Sequence, residues 1–94
     1  MSELKAQAFV ARLRTLGVYD DVKRICAEHG VTKIQNLLVL LGRRQHNVNA
    51  RKAVMLFMRE RFKWSYPALG EFFGYSEHST VMRHIRDARK ESLK

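Results

Sequence analysis

The run Ser65-Tyr66-Pro67-Ala68-Leu69-Gly70-Glu71-Phe72-Phe73-Gly74-Tyr75-Ser76-Glu77-His78-Ser79-Thr80-Val81 decides the fold. Ser65 is placed to cap a short helix, and Pro67 in its first turn lacks only an N–H that would find no helical partner there. Leu69, Phe72 and Phe73 supply the apolar side, and Gly74 ends the helix. Ser76 is then placed to cap a last helix over 77–92, with Val81, Ile85 and Ala88 toward the core. Two helices joined by so short a glycine-containing turn cross steeply, which is the helix-turn-helix arrangement. Glu77, His78, Ser79, Thr80 and Arg83 fall on the exposed N-terminal part of the second helix, the part that reaches base edges in a major groove. Their chemistry fits: Glu77 accepts from a cytosine amine, His78 donates or accepts, and Ser79 and Thr80 offer hydroxyls and a methyl.

Upstream the apolar spacing stays helical. A helix over 48–62 puts Ala50, Ala53, Val54, Phe57 and Met58 on an inner face and lines Lys52, Arg59 and Lys63 along another. Before it, the polar turn 42–47 contains Arg43 and Arg44. Thr32 is placed to cap a short helix through 41 whose Ile34, Leu37, Leu38 and Leu41 would be core, closed by Gly42. A helix over 19–29 carries Asp20 and Asp21 in its first turn, where negative charge suits the helix dipole, and Gly30 ends it. The first helix, 2–16, has Ser2 as its cap, a stripe of Ala6, Phe9, Val10, Leu13 and Leu16, and Gly17 as its stop. The expectation is an all-α, compact bundle of about six helices in one domain over 1–94: a connector or packing helix at 1–17, a helical core with a basic turn at 19–64, and the helix-turn-helix at 65–92.

Charge sharpens the reading. Of 94 residues, 18 are Lys or Arg and 9 are Asp or Glu, a formal net charge of +9 that favours a polyanionic partner. Residues 43–64 alone carry a net +6, while 65–82 carry −2. A cluster neutralises adjacent phosphates and releases their counterions, whereas a scattered excess mostly aids solubility. A hydrophobic content of 46% argues against disorder. The longest uncharged stretch, 34–42, is far shorter than the ~20 apolar residues of a membrane span. The early charges Glu3, Lys5, Arg12 and Arg14 leave no apolar segment for a secretory signal, so a cytoplasmic protein with no membrane partner is expected.

Enzymatic and metal chemistry find no support. Cys26 is the single cysteine, flanked by Ile25 and Ala27, and reads as a buried structural thiol. His29, His46, His78 and His84 form no pair at metal spacing, so neither a metal nor another cofactor is expected. No nucleophile elbow or zincin motif occurs, no carboxylate pair has an evident pocket, and there is no G-x-x-x-x-G-K-[ST] phosphate loop. Trp64 reads as core rather than as a nucleotide platform, and His84 as a residue at the core boundary.

The run 67–81 resembles the C-terminal DNA-binding domain of the bacterial replication initiator DnaA, whose signature places Pro, Gly, Phe-Gly, an acidic residue, His, two hydroxyl residues and Val at the same spacing. The similarity continues upstream through Ile25-Cys26-Ala27-Glu28-His29-Gly30-Val31 and Leu37-Leu38, covering about 20–90. It implies that Glu77, His78, Ser79 and Thr80 meet bases and nearby phosphates in the major groove. It implies too that the turn at Arg43, Arg44, Gln45 and His46 reaches the adjacent minor groove, with Arg51, Lys52, Arg59, Tyr66 and Pro67 near the backbone. Two positions depart from the family pattern: Gln45 or His46 stands for a minor-groove arginine, and Tyr75-Ser76 stands where Gly-Arg is common. Both imply a related but different DNA site.

The function expected is sequence-preferring binding of double-stranded DNA by a stand-alone helix-turn-helix chain, regulating transcription or replication. Two rivals are an interaction adaptor that keeps the fold, and a non-specific nucleoid protein. The stripe of the first helix either packs on the domain or pairs with a second copy or a replication or transcription protein. Packing is expected, because a chain of this size needs the buried area.

Overall fold

A computed structural model describes residues 2–39 and 41–92, without the side chains of Ser2, Glu3 and Ser92. The expected cap at Ser2 therefore lies outside the described residues, as do Leu40 and the last two positions. Five α-helices and one 3-10 segment follow in order: α1 (Ser2–Thr15), α2 (Tyr19–Glu28), the 3-10 turn Ile34–Leu37, α3 (Gln45–Phe62), α4 (Tyr66–Phe73) and α5 (His78–Ser92). Among the described residues every regular element is helical, in keeping with the expected all-α class.

The periodic apolar positions explain the packing. Phe9 and Leu13 of α1, Val22 and Cys26 of α2, Val54, Met55 and Met58 of α3, Leu69 and Phe73 of α4, and Val81 and Ile85 of α5 close into one buried cluster. Each such side chain contributes about 1.5–3 kcal/mol on leaving water. The α1 stripe is used inside the chain: the Phe9 ring lies 4.9 Å from Phe72 and 5.6 Å from Phe73. Val18 and Leu37 bridge α1 to the middle of the molecule, both fully buried.

The helix-turn-helix forms as its residues direct. The Ala68 amide donates to Ser65 Oγ at 3.3 Å, and Pro67 sits in the first turn of α4. Gly74 takes φ +95°, a left-handed conformation that costs other residues a steric clash, and so reverses the chain within four residues. The amides of Gly74 and Tyr75 share the Gly70 carbonyl at 2.8 and 2.7 Å, closing the end of α4. At Gly70 a Cβ would stand 3.3 Å from Val81, so this glycine lets α4 and α5 approach closely. Helix α5 begins at His78, one residue after the expected start.

Three upstream expectations are corrected. The segment after Thr32 is a single 3-10 turn with Lys33, not Thr32, at its N-cap position, and the chain is extended again at Leu38 (φ −72°, ψ 137°). Its carbonyls are drawn sideways to a buried arginine rather than along a helix, and the Val39 amide pairs with the Phe73 carbonyl at 3.1 Å. Leu41, expected in the core, is exposed. Helix α3 starts at Gln45 instead of 48, and its inner face is Asn47, Ala50, Arg51, Val54, Met55 and Met58, with Ala53 and Phe57 only half-buried.

Candidate nucleic-acid interface

The start of α5 is the projecting part of the helix-turn-helix. Glu77, His78, Ser79 and Arg83 are exposed, Thr80 is half-buried, and Val81 and Ile85 anchor the helix from behind. The first amides of an α-helix have no partner within the helix and lie at the positive end of its dipole, so the start of α5 is favourable to phosphate oxygens. Met82, 38% exposed, adds apolar surface on the same helix.

Pro67 is exposed at the first turn of α4, beside Tyr66. The Arg59 guanidinium lies 4.0 Å from the Tyr66 ring centre and also donates to the Trp64 carbonyl. Arg59 is thus held rigidly at the α3–α4 corner, an arrangement that orders its charge before any partner arrives. Lys63 does not continue the Lys52–Arg59 stripe: it is the left-handed C-cap of α3 (φ 59°, ψ 31°), exposed, and its amide returns to the Arg59 carbonyl at 2.8 Å. Trp64 is half-buried, 5.5 Å from Phe62 and 5.3 Å from Phe72, as a core-edge aromatic.

Arg43 and Arg44 are exposed before α3, and Gln45 and His46, also exposed, form its first turn. Gln45 Nε2 donates to Asn49 Oδ1 at 2.9 Å, which ties that side chain along the helix. Lys52 is mostly covered and pairs with Asp87 of α5 at 3.4 Å.

Arg51 overturns the expectation of an exposed backbone contact. It is 3% exposed. Its guanidinium donates to the carbonyls of Asn36, Leu37, Leu38 and Gly42 and, at 3.4 Å, to the Tyr75 hydroxyl. Nε and Nη2 serve the four carbonyls and Nη1 serves the tyrosine, so the guanidinium is turned into the protein, away from any approaching phosphate. The residue is a clamp that holds the loop carrying Arg43 and Arg44 onto α3. The spacing Arg51, Met55, Met58 at i, i+4, i+7 contained the signal, masked by the neighbouring basic residues.

Two titratable groups are perturbed by this packing. Burial pushes the Cys26 thiol up to about 11, the behaviour of a structural thiol rather than a nucleophile. His84 is held below the ordinary histidine value, first by burial and then by the cations of Lys52 and Arg51. Its Nδ1 has no hydrogen-bond partner, and its ring lies 5.6 Å from Tyr75. Among the described residues no group of histidines, cysteines and carboxylates could hold a metal, and no helix is long and apolar enough to cross a membrane.

Residues 19–87 match the bacterial DnaA protein helix-turn-helix family. The chain belongs to that family. It is 33% identical over 92 residues to the chromosomal replication initiator protein DnaA of Corynebacterium jeikeium, covering 87% of this chain and 16% of that protein. It is 40% identical over 63 residues to the corresponding DnaA of Synechocystis sp., covering 67% of this chain and 14% of the relative. The chain therefore spans a small part of these initiators' length, and the part it shares is the DnaA helix-turn-helix. No solved structure matches.

Proposed function

We propose that this chain binds double-stranded DNA with sequence preference. The observation that carries the reading is the exposed Glu77-His78-Ser79-Thr80 start of α5, set on a buried Val81–Ile85 face beside a net +6 segment over 43–64. Bases are read by Glu77, His78, Ser79 and Thr80, with Arg83 at the groove wall. Backbone affinity comes from Lys52, Arg59, Lys63, Tyr66 and Pro67, and the loop of Arg43, Arg44, Gln45 and His46 enters the neighbouring minor groove. Arg51 serves by bracing that loop.

Through such binding the chain regulates replication or transcription in the bacterial cytoplasm, at sites related to those an initiator reads. No ATP-binding phosphate loop occurs in these 94 residues, so their own part is occupancy of DNA rather than ATP-driven melting. Selection from random duplexes tests this. The expected outcome is one enriched motif resembling initiator sites but altered where Gln45 or His46, and Tyr75-Ser76, depart from the family pattern. Recovery of no motif would sink the sequence-specific reading.

A further inference from the structure

On the α3–α5 seam His84 lies near the cations of Arg51, Lys52 and Arg83 and the carboxylate of Asp87, and the groove beside Lys52 is also lined by Glu28, Glu60 and Glu91. Asp87 Oδ2 lies 3.4 Å from Lys52 Nζ, with the lysine side chain 18% and the aspartate 40% exposed. The pair joins two helices and is not a pairing along one helix surface. Asp87 is also one turn beyond Arg83, on the side of α5 that leads back to the base-reading residues. A phosphate approaching Lys52 meets the Asp87 carboxylate already in its place, with the three glutamates of the groove adding negative charge around it.

We infer that Asp87 is an internal anion that competes with DNA phosphate for Lys52 and so limits the sequence-independent affinity of this surface. The inference rests on the DNA-binding reading above. Asp87 touches no base; it is a positioning residue that acts through Lys52. Its effect falls on every duplex alike, because phosphates are common to all sequences. Weak background affinity leaves discrimination to the residues that read bases, and a chain of net charge +9 has reason to suppress such background.

The test compares the unaltered chain with Asp87→Asn, Asp87→Glu, Lys52→Ala and the Lys52→Ala/Asp87→Asn double variant, on a preferred and an unrelated duplex, between roughly 0.05 and 0.2 M salt. Far-UV circular dichroism and thermal melting check folding, and Asp87→Ser supplies the same charge change if Asn perturbs α5. Asp87→Asn is expected to tighten both duplexes by the same factor, about threefold to tenfold, and to steepen the log–log salt slope by about one. Asp87→Glu should match the unaltered chain within about twofold. In the Lys52→Ala background the gain should vanish. Unchanged or weaker binding by Asp87→Asn, a gain confined to one sequence, or a full gain without Lys52 would each overturn the inference. If the unaltered chain binds no duplex, the DNA-binding reading fails with it; if it binds and Asp87→Asn changes nothing, this inference fails alone.

Discussion

Arg51 Nη1 donates to the Tyr75 hydroxyl across 3.4 Å, which links α3 to the turn of the helix-turn-helix. The same guanidinium gathers the carbonyls of residues 36–38 and 42. One buried cation thus fixes the basic loop relative to the turn of the helix-turn-helix. Because removing the guanidinium leaves several carbonyls without their donor, Arg51→Met should cost about 2–4 kcal/mol in urea unfolding. At a temperature where the variant is folded, its salt slope on duplex DNA should equal that of the unaltered chain. A shallower slope would return Arg51 to the phosphate contacts.

Gly42 is bound to this clamp by space. A Cβ there would lie 1.8 Å from the Asn36 carbonyl oxygen and 2.8 Å from its carbon, a clash with backbone that no side-chain rotation relieves. Gly42→Ala should therefore destabilise the chain by about 1–3 kcal/mol or more, and should loosen the Arg43–Arg44 loop with it. Hydrogen exchange over 36–46 measures the second effect. Wild-type stability and protection in the variant would show that the loop runs elsewhere.

These two residues also mark the limit of what the sequence makes legible. Ser65, Gly74 and the Leu69, Phe73, Val81 and Ile85 positions are plain because cap, left-handed stop and 3.6-residue spacing agree with one another. The run 34–42 spaces Ile34, Leu37, Leu38 and Leu41 as a helix face would, a local signal that points to a longer helix than the chain forms. Long-range contacts hold the 3-10 turn instead: the carbonyls of 36–38 go to Arg51 and the Val39 amide to the Phe73 carbonyl. Arg51 in turn looked like surface because it sits among Arg43, Arg44 and Lys52, although its spacing to Met55 and Met58 marks the inner face. Lys63 turned from helix stripe to left-handed cap, a conformation that nothing local in Phe62-Lys63-Trp64 demands.

His78 stands exposed in the first turn of α5, where the proposed DNA binding sets it against base edges. His78→Ala should cost about 1–3 kcal/mol on the preferred duplex while leaving unrelated duplexes nearly unaffected. Parallel losses on both would make it a phosphate contact.

His84 makes stability depend on pH. Its folded pKa lies below the ordinary value, so as pH falls through about 6.5 the unfolded chain takes up a proton that the folded chain resists. The stability is fully present above the unfolded pKa and is lost progressively as pH falls toward the folded one. Urea unfolding between about pH 7.5 and 5 should show that decline, and His84→Gln should flatten it. An unchanged decline in His84→Gln would assign it to other groups.

The division between a basic block that supplies affinity and a nearly uncharged helix start that supplies choice is tested most directly by one ratio. Affinity is measured at physiological salt for the duplex enriched by selection and for an unrelated duplex of equal length. The arrangement of Glu77, His78, Ser79 and Thr80 predicts a preference of about a thousandfold or more, with both affinities falling steeply as salt rises. Equal affinity for the two duplexes would contradict it and leave a non-specific basic protein; absence of duplex binding would leave an adaptor.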